Sequence, residues 1–172
     1  MIRASVDGFH NPREVRYRLG RSSPEGFFRD SYDYGTLVSL LLEPLGPGGS
    51  GRYVGRVYDI DGEVPVAPLV EQASRDSILV LDGIFLHRDE LAAFWDYSIW
   101  LEVPFDVSIP RGAQRGAGYG DPDPSAPSSR RYVNGQRLYL TECSPQSRAT
   151  VVIDNEDLDQ PVLRGTRLDH EH

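Results

Sequence analysis

Two short apolar segments each end in an aspartate followed by a glycine: Ile2-Arg-Ala-Ser-Val-Asp7-Gly8 near the start and Ser77-Ile-Leu-Val-Leu-Asp82-Gly83 near the middle. The second is a continuous apolar run of strand length, a pattern that predicts a strand buried on both faces of a sheet. Acids at the ends of two such strands converge at one sheet edge, which is where open α/β sheets build nucleotide or metal sites. That pairing constrains the chain more than any other feature of it.

The remaining pattern fits the same class. Tyr34 to Leu42 places Leu37, Leu40 and Leu41 at helical spacing behind Asp33, a residue suited to cap a helix start. Asp61-Gly62 lies between the strand-like runs Arg52–Tyr58 and Glu63–Val66, a hairpin signal. Arg88–Phe94 predicts a short helix, Tyr97–Val103 a strand closed by Pro104, Phe105–Ala113 a helix interrupted by Pro110, Arg130–Tyr139 a helix and Thr150–Asp154 a last strand. Residues 11–28 and 115–129 are rich in turn formers and predict loops, the first with a single helical turn. The tail 163–172 has little to bury and is expected to be disordered. Strands alternating with helices over 172 residues predict one α/β domain, layered, with a mostly parallel sheet.

Composition removes several functions. A formal net charge of -8 argues against general nucleic-acid binding, which needs a basic face. No run approaches the ~20 apolar residues of a membrane span. Cys143 is the single cysteine, so no internal disulfide forms and a reducing, cytoplasmic setting is expected. His87, His170 and His172 have no spacing with Cys or Glu that suits zinc. All 18 basic residues are arginine. The phosphate-binding signature G-x-x-x-x-G-K-[ST] is therefore absent, and Gly46-Pro-Gly-Gly-Ser-Gly51 reads as a connector.

Ser5-Val-Asp-Gly-Phe-His10 resembles the S-x-D-x-F-[YH] segment of the uridine kinase and phosphoribulokinase group of P-loop kinases. Ile78-Leu-Val-Leu-Asp-Gly-Ile84 is similar to the group's apolar strand ending in an acid. Asp30-Ser-Tyr-Asp33 resembles its D-A-F-D segment, Arg111-Gly-Ala-Gln-Arg115 its lid arginines, and Val151-Val-Ile-Asp-Asn155 its late strand. These segments follow the family's order. The resemblance implies a three-layer fold and ATP-dependent phosphoryl transfer to a nucleoside or similar small hydroxyl substrate. It implies Asp7 as the base, with Phe9 and His10 lining the substrate pocket. Asp82, with Asp7, would hold Mg²⁺; Arg111 and Arg115, a lid-like segment (about 111–130), would face phosphates. Asp154 and Asn155 either contact adenine or only end a strand. The partners implied are a small-molecule substrate and ATP.

The departures carry expectations of their own. Family members have a strand, a glycine-rich loop with Lys-Ser/Thr and a helix before the segment matched at Ser5. Gly116 stands where an acid usually follows the lid arginine, and Phe27 lies near a position where uridine kinases place a sugar-binding Asp. With that first strand, loop and helix absent, the 172-residue chain is expected to be inactive alone. The alternative is a non-catalytic remnant that binds a nucleoside or a protein partner. In the family the absent strand lies between the strands at Ile78 and Tyr97. A break is expected there, giving poor solubility, partial unfolding or a homo-oligomer formed through the open sheet.

Overall fold

The computed structural model describes residues 1–115 and 121–166. The chain begins with β1 (Ile2–Ser5), closed by a 3-10 turn over Val6–Phe9 that the Ser5 hydroxyl caps by accepting the Asp7 N–H at 3.3 Å. Helices α1 (Arg13–Arg16) and α2 (Pro24–Asp30) follow. Residues 11–28 thus hold more helix than their glycines and prolines predict. Ser23 Oγ accepts the Gly26 N–H at 3.0 Å and Pro24 opens the first turn, a start that wastes no backbone donor.

Asp33 caps α3 (Tyr34–Leu37), as its position predicts, accepting the Thr36 N–H at 2.9 Å. Pro44 has no N–H to give to the carbonyl four residues back. The helix widens just ahead of it into a π turn over Val38–Leu42, where the Glu43 N–H reaches the Val38 carbonyl, and then ends in α4 (Glu43–Leu45). The middle of the chain is antiparallel: β2 (Arg52–Val54), β3 (Tyr58–Asp59), β4 (Val64–Pro65) and β5 (Val70–Gln72), with β3 on β4 across the Asp61-Gly62 turn and β2 on β5. Then come β6 (Leu79–Asp82) and β7 (Ile99–Glu102), with only a 3-10 turn at Ala92–Phe94 where a short helix is predicted. Helices α5 (Phe105–Ala113), α6 (Arg130–Cys143) and α7 (Pro145–Arg148) lead to β8 (Val151–Asp154) and β9 (Val162–Thr166).

The single mostly parallel sheet expected from the sequence is not what forms. β1 and β6 make one parallel pair; β7 and β8 make another, with β9 antiparallel on β8. No ladder joins β6 to β7, so the expected break between them is present. The expectation that β6 is buried on both faces is also corrected. Leu79 and Leu81 of β6 and Trp100 of β7 pack on the common core with Phe85 and Tyr139. On the opposite faces Val80 is 48%, Ile99 51% and Leu101 52% exposed, because no described element covers them. At the start of the expected tail, Val162–Thr166 forms β9 with backbone partners on β8, its side chains exposed. Residues 167–172 with His170 and His172, and Gly116 of the lid-like segment, lie outside the described residues.

The core is aromatic and leucine-rich. Phe9, Phe28, Leu37, Leu41, Phe85 and Leu91 are fully or almost fully buried. Phe85 meets Phe28 and Tyr139 edge to face at 5.2 Å, a favoured arrangement of ring quadrupoles. The Arg88 guanidinium is sandwiched between Phe28 (4.5 Å) and Tyr34 (4.7 Å) and donates to the Phe28 carbonyl at 2.7 Å. Cys143 is buried in this cluster, and burial pushes its thiol up, consistent with a structural role.

Candidate functional site

The parallel β1–β6 register sets Ser5 opposite Asp82, and Asp7 follows two residues later in the capped turn. Both acids therefore stand at the carboxyl end of one strand pair, as their positions in the sequence predict, and both are exposed. Gly83 makes this edge fit together. It takes φ +149°, and a Cβ there would lie 2.1 Å from Val6 Cγ1, so a side chain would collide with the residue that precedes Asp7. Gly8 serves a similar purpose. A Cβ on it would lie 2.8 Å from Arg56 Cβ, and its carbonyl accepts the Val57 N–H at 2.8 Å. The close neighbour of Gly8 is thus the 55–57 segment of the chain itself.

Asp7 is held on one side. The Tyr32 hydroxyl donates to Oδ1 at 3.0 Å while the Asp7 side chain stays 59% exposed. His10 lies beside it, with Nδ1 2.9 Å from the Asp7 backbone carbonyl. A carbonyl only accepts, so Nδ1 is the donor, and in the neutral ring the lone pair sits on Nε2. The His10 ring stacks obliquely on Tyr32 at 4.5 Å, and a backbone bridge joins the two residues. Behind them the buried Arg16 guanidinium donates from Nε to the Asn11 carbonyl at 2.9 Å and pairs with Glu63, which also accepts the Tyr58 hydroxyl at 3.1 Å. Glu63 takes φ +53°, an unusual backbone for a residue with a Cβ, and its side chain is anchored by these two partners. The Arg16 hydrogen bond holds the Glu63 carboxyl below its ordinary value.

Burial holds both His10 and His87 below their ordinary value of 6.5; the Asp7 carbonyl opposes this at His10, and the Arg148 charge adds to it at His87. The unfolded chain thus binds more protons than the folded one once pH falls below 6.5. The stability contributed by the neutral rings is complete above that pH and is lost as pH drops toward the folded-state values. Urea unfolding should give a lower midpoint at about pH 5.5 than at about pH 7.5, with a smaller difference in His10→Gln. An equal difference in wild type and variant would contradict the assignment for His10.

Of the other predicted site residues, Phe9 alone shares the turn with Asp7. Phe9 is fully buried in the core and lines no surface. Arg111 donates to the carbonyls of Asn155 (2.9 Å) and Glu156, so it fastens the turn after β8. Asp154 accepts the Glu156 N–H at 3.0 Å and the Arg164 Nε–H at 3.1 Å; these bonds hold its carboxyl below the usual range. Arg115 is exposed, and its guanidinium has no hydrogen bond or ion pair with the described residues. No hydrogen bond or ion pair among the described residues joins this group to Asp7, His10 or Asp82. A groove of about 540 Å³ between α5 and α6, lined by Phe105, Arg130 and Arg137, contains none of the predicted residues. A second, of about 450 Å³ around His87, Trp95 and Arg148, contains none either.

Tyr32, Arg16, Glu63 and Tyr58 also build this site, although the sequence motifs do not single them out. Tyr32 had a signal, since it lies inside the Asp30–Asp33 segment, whereas no local pattern ties Arg16 to a glutamate 47 residues away. Among the described residues no group of three or more His, Cys, Asp and Glu is placed to hold a metal ion. No described helix is long and apolar enough to cross a membrane.

The sequence matches no family model, and no curated protein matches it. Its fold has a solved counterpart: the structure of a possible uridine kinase from Bacillus stearothermophilus superposes with a TM-score of 0.66 at 20% identity. The match covers 88% of this chain and 70% of that one. At that identity the likeness establishes the mixed α/β fold.

Proposed function

We propose that these residues form the acceptor side of a uridine kinase-like, ATP-dependent phosphotransferase acting on a nucleoside or similar small hydroxyl compound in the cytoplasm. The observation that carries the reading is the Asp7 carboxylate, pinned through Oδ1 and open at Oδ2 beside His10, at the end of a parallel strand pair in this fold. In transfer, the substrate hydroxyl oxygen bonds to the γ-phosphorus as the bond to the β–γ bridging oxygen breaks. ADP leaves and Asp7 takes the hydroxyl proton.

Mg²⁺ suits the donor set. It is commonly held by one or two carboxylates with water and phosphate oxygens completing the shell, and Asp82, an exposed acid at the same strand edge, would supply the carboxylate while Asp7 Oδ2 stays with the hydroxyl. When bound it neutralises charge on the transferring phosphates. Arg115 supplies a guanidinium of the lid-like segment that has no partner among the described residues, Arg111 holds the turn that carries Asp154 and Asn155 toward the nucleotide, and the open edges of β6 and β7 pair in a homo-oligomer.

A second reading, a non-transferring protein that binds a nucleoside or a protein partner, is favoured by the absence of lysine from the 172 residues. The two separate in one experiment: calorimetric titration with uridine, then incubation with Mg·ATP and uridine followed by ³¹P NMR. Saturable uridine binding weakened in Asp7→Ala supports the acceptor site. Transfer to uridine identifies the complete enzyme, and binding without transfer identifies the acceptor half alone. Absence of uridine binding, or binding that Asp7→Ala leaves unchanged, would refute the proposal.

A further inference from the structure

Asp7 presents a physical problem for a base. It stands on a turn at a strand end, more than half exposed, where an aspartate side chain ordinarily samples several rotamers. Two contacts oppose that freedom, both at Oδ1: the Tyr32 hydroxyl, hydrogen-bonded at 3.0 Å, and, farther off, His10 Nδ1 at 3.9 Å. Tyr32 is itself well anchored: it is 5% exposed, its ring contacts His10 (4.5 Å) and Tyr34 (6.0 Å), and its backbone bridges to His10. Neighbouring backbone bonds reinforce the anchor, with the Asp33 N–H on the Phe9 carbonyl at 2.8 Å and the Asn11 N–H on the Ser31 carbonyl at 2.9 Å. Burial, and after it the Asp7 charge, push the Tyr32 phenol well above its ordinary value, so the hydroxyl keeps its proton and remains a donor.

We propose that Tyr32 is the positioning residue of this site: by occupying Oδ1 it fixes the Asp7 rotamer and directs Oδ2 alone toward the acceptor hydroxyl. The inference rests on the reading of Asp7 as the group that meets that hydroxyl. A buried phenol on a segment bridged to its neighbour locates one carboxylate oxygen, whereas a solvent-exposed partner would move with the side chain it holds. The His10 imidazole completes the arrangement. Its Nδ1–H is committed to the Asp7 carbonyl, so it leaves Oδ2 free of competition.

Two readouts test this on the 172-residue chain. Without ligand, the Asp7 Hα–Hβ couplings should report one staggered rotamer in wild type and averaging in Tyr32→Phe, with amide shifts distant from the site unchanged. With ligand, wild type should bind uridine about tenfold or more tighter than 5′-deoxyuridine, as expected for a hydrogen bond to a charged group. In Tyr32→Phe that ratio should fall to about twofold or less while 5′-deoxyuridine affinity holds, a split that general loosening of the pocket does not produce. Tyr34→Phe, which removes a hydroxyl from the same aromatic wall, should leave both readouts as in wild type. An averaged Asp7 rotamer in wild type, or a uridine ratio unchanged by Tyr32→Phe, overturns the role of Tyr32. Failure of wild type to bind either nucleoside overturns instead the acceptor-site reading, and the couplings alone then decide the Tyr32 contact.

Discussion

Gly83→Ala is expected to unfold the chain, or bring it close to unfolding, under conditions in which wild type is folded. Two costs arise together. The backbone at φ +149° is one that residues with a Cβ rarely adopt, and the new methyl would sit 2.1 Å from Val6 Cγ1. Backbone strain of this kind costs roughly 1–3 kcal/mol. Forcing a carbon into a packed site costs roughly another 1–3 kcal/mol. The sum is a large part of the ~5–15 kcal/mol that holds a domain folded. Val6 is fully buried and cannot move toward solvent, so relief must come from separating β1 from β6, which also parts Asp7 from Asp82. Urea denaturation followed by far-UV circular dichroism measures the loss. A midpoint within error of wild type would show that the strand pair is not closed in this way.

Asp7→Asn is expected to lower phosphoryl transfer to a nucleoside hydroxyl by ~10²–10⁴ in kcat with nucleotide affinity little changed. The amide retains the shape of the side chain and still accepts from Tyr32, but it cannot take the hydroxyl proton. The measurement needs a protein that joins these residues to a glycine-rich loop bearing Lys-Ser, because the 172 residues contain no lysine. Steady-state kinetics with saturating Mg·ATP then isolates the acceptor side. Near-full activity in Asp7→Asn would remove Asp7 from the mechanism, and a loss confined to KM would make it a binding group.

These predictions depend on features of unequal legibility in the sequence. The placement of Asp7 and Asp82 at the same end of a parallel strand pair was readable because an apolar run that ends in an acid fixes both the strand and the end at which the acid emerges. Helix α5 and the cap at Asp33 were readable for the same local reason, a start signal next to periodic apolar residues. Helix α2 was hidden by the density of glycine and proline around it, although the Ser23-Pro24 pair is a start signal in its own right. The break between β6 and β7 was expected from the family resemblance, but the bareness of their outer faces was not legible, since apolar strands look the same whether those faces are covered or bare. The wall of the candidate site was the least accessible. The Tyr32–Asp7 and Arg16–Glu63 contacts join residues 25 and 47 positions apart and exist only once the 3-10 turn, α1 and the β3–β4 hairpin have folded against one another.

The most direct test of the acceptor-site assignment is a crystal structure of the chain with uridine bound. The nucleoside is expected at the carboxyl end of the β1–β6 pair, its primary hydroxyl ~2.6–3.2 Å from Asp7 Oδ2 while the Tyr32 hydroxyl remains on Oδ1. Uridine seated instead in the groove between α5 and α6, or lying near Asp7 with its hydroxyl directed away from the carboxylate, would contradict it.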